Sequence, residues 1–135
     1  MYSAQKSLHV LVADDNPVNR RMLIGLLTAL GHTGTVVGDG VAALKCLSKL
    51  TFDVVFMDML MPKLDGFETL KAIRAQEKAD GGHLPIIMVT AHADRIDQFM
   101  YQKAGADGLV SKPFDMEKLH SALQHLLNGH NQNAP

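Results

Sequence analysis

A three-layer α/β sandwich is the predicted fold class, with five parallel strands in the order 2-1-3-4-5. Three observations lead to it. Short apolar runs alternate with stretches of helical period, which marks repeated βα units. Four of the five runs end in a polar motif: Asp14-Asp15, Asp58, Thr90 and Lys112-Pro113. The length, 135 residues, suits one domain around one adequate core. Right-handed crossovers then put helices on both faces of the sheet.

The first strand is HVLVA, running into Asp14-Asp15. Asn16-Pro17 opens a helix, with an Asx cap and a proline in the first turn. Val18, Met22, Leu23, Leu26, Leu27 and Leu30 keep its period, and Gly31 stops it. TGTVV is a short second strand. GVAALKCLSKL is a helix with Val41, Leu44 and Leu47 on one side. DVVFMD is the central strand, and MLMPKLDG is a loop of turn residues. FETLKAIRAQ is a helix expected to dissolve into the polar stretch EKADGGHLP. IIMVT is the fourth strand. A helix over about 94–103 follows, with Ile96, Phe99 and Met100 expected inward. GLVS is the fifth strand. Asp115 caps the last helix, whose Met116, Leu119, Leu123, Leu126 and Leu127 keep the period. The division is a tail at 1–7, a domain at 8–127 and a polar tail at 128–135, expected to fray.

Composition narrows the function. The formal net charge is −1, so no basic field draws this domain to nucleic acid. Hydrophobic residues make up 47% and charged residues 20%, a soluble balance. No apolar run approaches the ~18 residues of a membrane span, and MYSAQKSLH has no apolar signal core. Cys46 is alone, which excludes an internal disulfide and fits a reducing cytoplasm. His120, His125 and His130 stand five apart and do not share a helical face, which argues against a metal site there.

The strand ends carry the chemistry. In an open parallel sheet, ligands bind at the carboxyl ends of the strands, and strand order 2-1-3-4-5 sets the first and third strands side by side. Asp14, Asp15 and Asp58 would then share one cleft with Thr90 and Lys112. Three carboxylates together repel and raise one another's pKa values. A hard dication relieves that repulsion, and Mg2+ suits carboxylates, waters and phosphate oxygens. Each residue also has a plainer reading. Asp14-Asp15 could form a helix cap, Asp58 a turn, Thr90 a cap for the next helix, and Lys112 a solvated lysine. Asp65-Gly66 reads as a turn and cap. The Met57, Met59 and Met61 run reads as packing.

VADDNPVNRRML, FMDMLMPKLDGFE, VTAHA and GADGLVSKPF resemble the receiver domains of two-component response regulators, over roughly residues 8–127. DDNPVNRR and MPKLDGFE are closest in style to receivers of hybrid sensor histidine kinases. The resemblance implies the flavodoxin-like (βα)5 sandwich. It implies that Asp58 accepts a phosphoryl group from a phosphohistidine. It implies Mg2+ on Asp15, Asp58, Asp14 through water, and the Leu60 carbonyl. Thr90 and Lys112 would contact the phosphoryl group, Lys112 only once that group arrives. The Lys112-Pro113 bond would be cis and aim the lysine. The output would be the face of the fourth helix, fifth strand and fifth helix. The partner would be a histidine kinase or a histidine phosphotransfer protein, with no nucleic acid and no membrane. The domain would not be a stand-alone enzyme, though it would assist its own phosphorylation and dephosphorylation.

Two departures stand out. Leu109 occupies a position, three before the lysine, where many receivers carry Tyr or Phe, so coupling through a ring there is not expected. Leu60 and His92 are the variable positions beside the site. His92 is either a plain loop residue or one that meets water or the partner. Other functions fit less well. An aspartyl phosphatase usually has a second acid two residues after the nucleophile, where this chain has Leu60. A nucleotide binder would need a phosphate loop, and ADDNPVN would repel phosphate without metal. A receiver that works without phosphorylation usually lacks an acid or the lysine, and this chain has both. The sequence leaves open whether the domain is free-standing or part of a larger hybrid kinase.

Overall fold

The computed structural model describes residues 7–91 and 94–132. The elements run β1 His9–Ala13, α1 Pro17–Ala29, β2 Thr33–Val37, α2 Gly40–Leu47 and β3 Val54–Asp58, then α3 Gly66–Asp80, β4 Ile86–Thr90, α4 Arg95–Ala104, β5 Gly108–Ser111 and α5 Met116–Gln132. All strand pairs are parallel, in the order β2-β1-β3-β4-β5. β3 and β4 are buried along their whole length, as the continuous apolar runs VVFM and IIMV require.

Alternation along the strands divides the core. Val10, Val12, Phe56, Ile87 and Val89 face α1 and α5, where Leu23, Leu27, Leu119 and Leu123 meet them. Leu11, Ala13, Val55, Met57, Ile86 and Met88 face the opposite side, with Ala43, Leu70, Ile73 and Tyr101. Each fully buried Leu or Phe here contributes about 1.5–3 kcal/mol. The helix starts follow the local chemistry. Asn16, Asp39, Asp65 and Asp94 accept amide hydrogens of the first turns of α1 to α4, and Asp115 accepts the Lys118 amide in α5. Gly31, at φ 86°, turns the chain after α1 where a β-branched residue could not.

Several expectations need correction. α3 does not dissolve after Gln76 but continues to Asp80. Arg74 pairs with Glu77 one turn on, and Glu77 accepts the Leu84 amide, so the polar stretch is tied down. α5 continues to Gln132, beyond the start of the polar tail. In α4, Ile96, Phe99 and Met100 do not point inward; they are 72%, 63% and 49% exposed, while Tyr101 is 7% exposed. The helix seats by its later turn, where Tyr101 and Ala104 meet the core. Val18, which keeps the period of α1, and Val41, on one side of α2 with Leu44 and Leu47, are also exposed. Leu127 lies among residues whose side chains are not described, and His92 lies outside the described residues. Among the described residues, no helix is long and apolar enough to cross a membrane.

Candidate functional site

The carboxyl ends of β1, β3, β4 and β5 converge on one rim. β1 delivers Asp14 and Asp15 immediately after its last paired residue, Ala13, which lies opposite Met57. That pairing puts Asp58 beside them. Oxygens of Asp14, Asp15 and Asp58 all lie within 4.8 Å of one another. Asp14 and Asp58 are buried, and Asp15 is exposed. Asp14 is held from two sides: its carboxylate accepts the Asn16 amide at 2.9 Å, and Arg20 donates to its carbonyl at 2.7 Å. The cap of α1 is Asn16, so both aspartates stay available to the cleft.

β5 brings Lys112. Its Nζ lies 3.1 Å from an Asp58 oxygen, and the side chain is 31% exposed. It is therefore not a solvated lysine. It already partners Asp58, and the Lys112-Pro113 bond that follows is cis. Thr90 ends β4, buried opposite Ser111, and Asp94 rather than Thr90 caps α4. Leu60 lies on the loop beyond Asp58 with its side chain 73% exposed. Leu109 is partly buried in the α3–α4 half of the core.

The Asp58 carboxyl is held above the ordinary carboxylate range. Burial is the largest cause, Asp14 and Asp15 add to it, and Lys112 opposes it. Mutual repulsion was the expected cause, and it ranks behind desolvation because Asp58 is itself buried. Three converging carboxylates facing one ammonium leave an excess of negative charge. Mg2+ fits this donor set of hard oxygens, with room for water beside exposed Asp15.

Gly66 is a residue whose role sequence reasoning missed. A Cβ there would lie 2.2 Å from the Asp58 carbonyl oxygen, and the Gly66 amide donates to Met59 at 2.8 Å. The glycine lets α3 start against the backbone of the Asp58 strand. An Asp-Gly pair in a loop signals a turn; only the fold reveals the close approach. Tyr101 was missed as well. Its hydroxyl comes within hydrogen-bonding reach of the Thr90 side chain.

Comparison with known proteins agrees with this geometry. Residues 10–124 match the response regulator receiver domain. The chain is 39% identical to the hybrid signal transduction histidine kinase I of Dictyostelium discoideum over 119 residues, covering 84% of this chain and 7% of that protein. It is 38% identical to the chemotaxis protein CheY-3 of Vibrio cholerae over 122 residues, covering 90% of this chain and 92% of that protein. The chain thus spans a small fraction of the length of the histidine kinases it resembles and nearly all of the chemotaxis protein. The receiver domain of sensor histidine kinase PA1611 from Pseudomonas aeruginosa superposes with a TM-score of 0.79 at 33% identity, over 91% of this chain and 99% of that one, and holds a magnesium ion in its active site cleft. Sequence, sheet order and the acidic rim agree, and the chain belongs to the response regulator receiver domains of two-component signalling.

Proposed function

We propose that this receiver takes a phosphoryl group from a phosphohistidine onto Asp58. The observation that carries the reading is the convergence of Asp14, Asp15 and Asp58, with Lys112 already 3.1 Å from Asp58. An Asp58 oxygen attacks phosphorus, the P–N bond of the donor breaks, and its electron pair leaves with the imidazole nitrogen. Asp14 and Asp15, with Asp58 and the Leu60 carbonyl, would hold Mg2+, which neutralises charge on the transferring oxygens when bound. Lys112 offers a compact positive charge to the same oxygens, and Thr90 offers a hydroxyl. The donor brings the activated bond, so the domain positions and neutralises.

The new group adds roughly −1.5 to −2 charge and three acceptor oxygens. Thr90 and Lys112 end adjacent strands, so a pull on both moves the loops into α4 and α5. Exposed Ile96, Phe99 and Met100 make α4 the apolar part of an output face shared with β5 and α5. The partner upstream is a histidine kinase or a histidine phosphotransfer protein, in the cytoplasm.

Incubation with Mg2+ and acetyl phosphate, followed by intact-mass measurement, tests the reading. The unsubstituted chain should gain one phosphoryl group only with Mg2+, and Asp58→Asn should gain none while keeping its fold. Equal modification of both chains would overturn the assignment.

A further inference from the structure

Tyr101 has no part in the chemistry above, yet it lies between two pieces of the rim. It is 7% exposed on a helix whose Ile96, Phe99 and Met100 face solvent. Its ring meets Phe67 edge-on, with centroids 6.0 Å apart and planes at 68°. Phe67 directly follows Gly66, which abuts the Asp58 backbone. The phenol comes within hydrogen-bonding reach of Thr90. Met57, Met88 and partly buried Leu109 belong to the same cluster.

We propose that Tyr101 is the positioning residue that couples Thr90 to α4, its ring supplied by the helix because β5 carries only Leu109. This rests on the phosphoacceptor reading of Asp58. A threonine hydroxyl has one proton to donate. Anionic phosphoryl oxygens are stronger acceptors than a neutral phenol oxygen. When the Thr90 hydroxyl turns to them, the buried phenol no longer accepts the threonine proton and must turn its own O–H toward Thr90 or another acceptor to stay satisfied. The ring is then re-seated, and because it is fixed to α4, the helix moves with it. The exposed apolar stripe lies on that same helix, so a change at the rim reaches the surface through one side chain. Coupling is reciprocal: whatever holds Tyr101 in its resting place opposes phosphorylation.

The chain has two tyrosines and no tryptophan, so in a Tyr2→Phe background Tyr101 alone reports in the near ultraviolet. That protein is treated with Mg2+ and acetyl phosphate, with tyrosine emission and intact mass followed together. Emission should change in step with the mass shift. Separately, Tyr101→Phe in the otherwise unaltered chain keeps the ring and removes the hydroxyl; it should speed phosphorylation several-fold, roughly fivefold at the low end of ordinary coupling. Thr90→Val should erase that gain in the double variant. A purely packing role for Tyr101 would leave the rate unchanged. Full phosphorylation with constant emission, or a Tyr101→Phe effect that simply adds to that of Thr90→Val, overturns the coupling. A missing mass shift in the Tyr2→Phe parent overturns the phosphoacceptor reading and this inference with it.

Discussion

Two charged clusters sit at opposite ends of the sheet, built from similar residues with opposite results. At the amino end, Arg74 donates to Asp107 at 2.8 Å, to Glu77 at 2.7 Å, and to the carbonyls of Gly105 and Leu84. The two carboxylates accept the backbone amides of Leu84 and Ile86, and His83 also meets Asp107. There a guanidinium is shared between two carboxylates, and each carboxylate also takes a backbone amide. At the carboxyl end, three carboxylates face one lysine, and burial raises the pKa of the central one above the ordinary carboxylate range. A cluster whose charges are met within the chain is costly to break. A cluster left short of positive charge stores a demand that a cation or a phosphoryl donor can meet.

Removing Arg74 tests the first half of that contrast and carries the largest effect. Arg74→Ala leaves Glu77 and Asp107 without their cation, and should cost about 3 kcal/mol of stability in urea unfolding, with or without Mg2+. A loss near zero would place the amino-end cluster among surface ion pairs of little worth. Lys112→Ala addresses the second half. It should keep the fold and bind Mg2+, yet slow phosphorylation by acetyl phosphate roughly tenfold. Complete loss of Mg2+ affinity would show that Lys112 organises the carboxylates rather than the phosphoryl group.

The pH dependence separates strain from stability. The folded Asp58 binds its proton more tightly than the unfolded chain does. Metal-free stability should therefore fall as pH rises from the ordinary carboxylate range through the raised Asp58 value. Asp58→Asn should flatten that slope, and Asp15→Asn should leave the metal-free protein no less stable. A metal-free melting temperature that drops in Asp15→Asn would contradict the frustrated rim. His32 works in the other direction. Burial, then His120, lowers its pKa, and its Nδ1 accepts the Leu8 amide at 3.0 Å, so it folds neutral. Its contribution is present above the unfolded histidine value of about 6.5 and is lost as pH falls toward the lowered folded value. His32→Gln should flatten the acid limb in thermal melts.

The smallest expected effect concerns the lifetime of the acyl phosphate. Leu60 is exposed beside Asp58 and cannot orient an attacking water. Leu60→Asn should shorten the decay after phosphodonor is removed, by severalfold at most. Fast decay in the unsubstituted chain, unchanged by Leu60→Asn, rules out a role for this position.

The order of elements along the chain and the polar strand ends could be read from the sequence, because alternation of apolar runs and turn chemistry are local properties. Asp14, Asp15, Asp58, Thr90 and Lys112 were legible for the same reason: each closes an apolar strand. Which face of α4 points inward was not. Ile96, Phe99 and Met100 satisfy a helical period as well as Tyr101 does, and only packing against β5 and Phe67 selects between them. The length of α3 was also hidden, since EKAD looks like a loop until Glu77 meets Arg74 and the Leu84 amide across the turn. Gly66 and the contact of Lys112 with unmodified Asp58 likewise required the tertiary structure. Period and capping act over a few residues and are written in the chain. Close approach, burial and charge balance depend on which distant segments meet, and that is decided only when the sheet assembles.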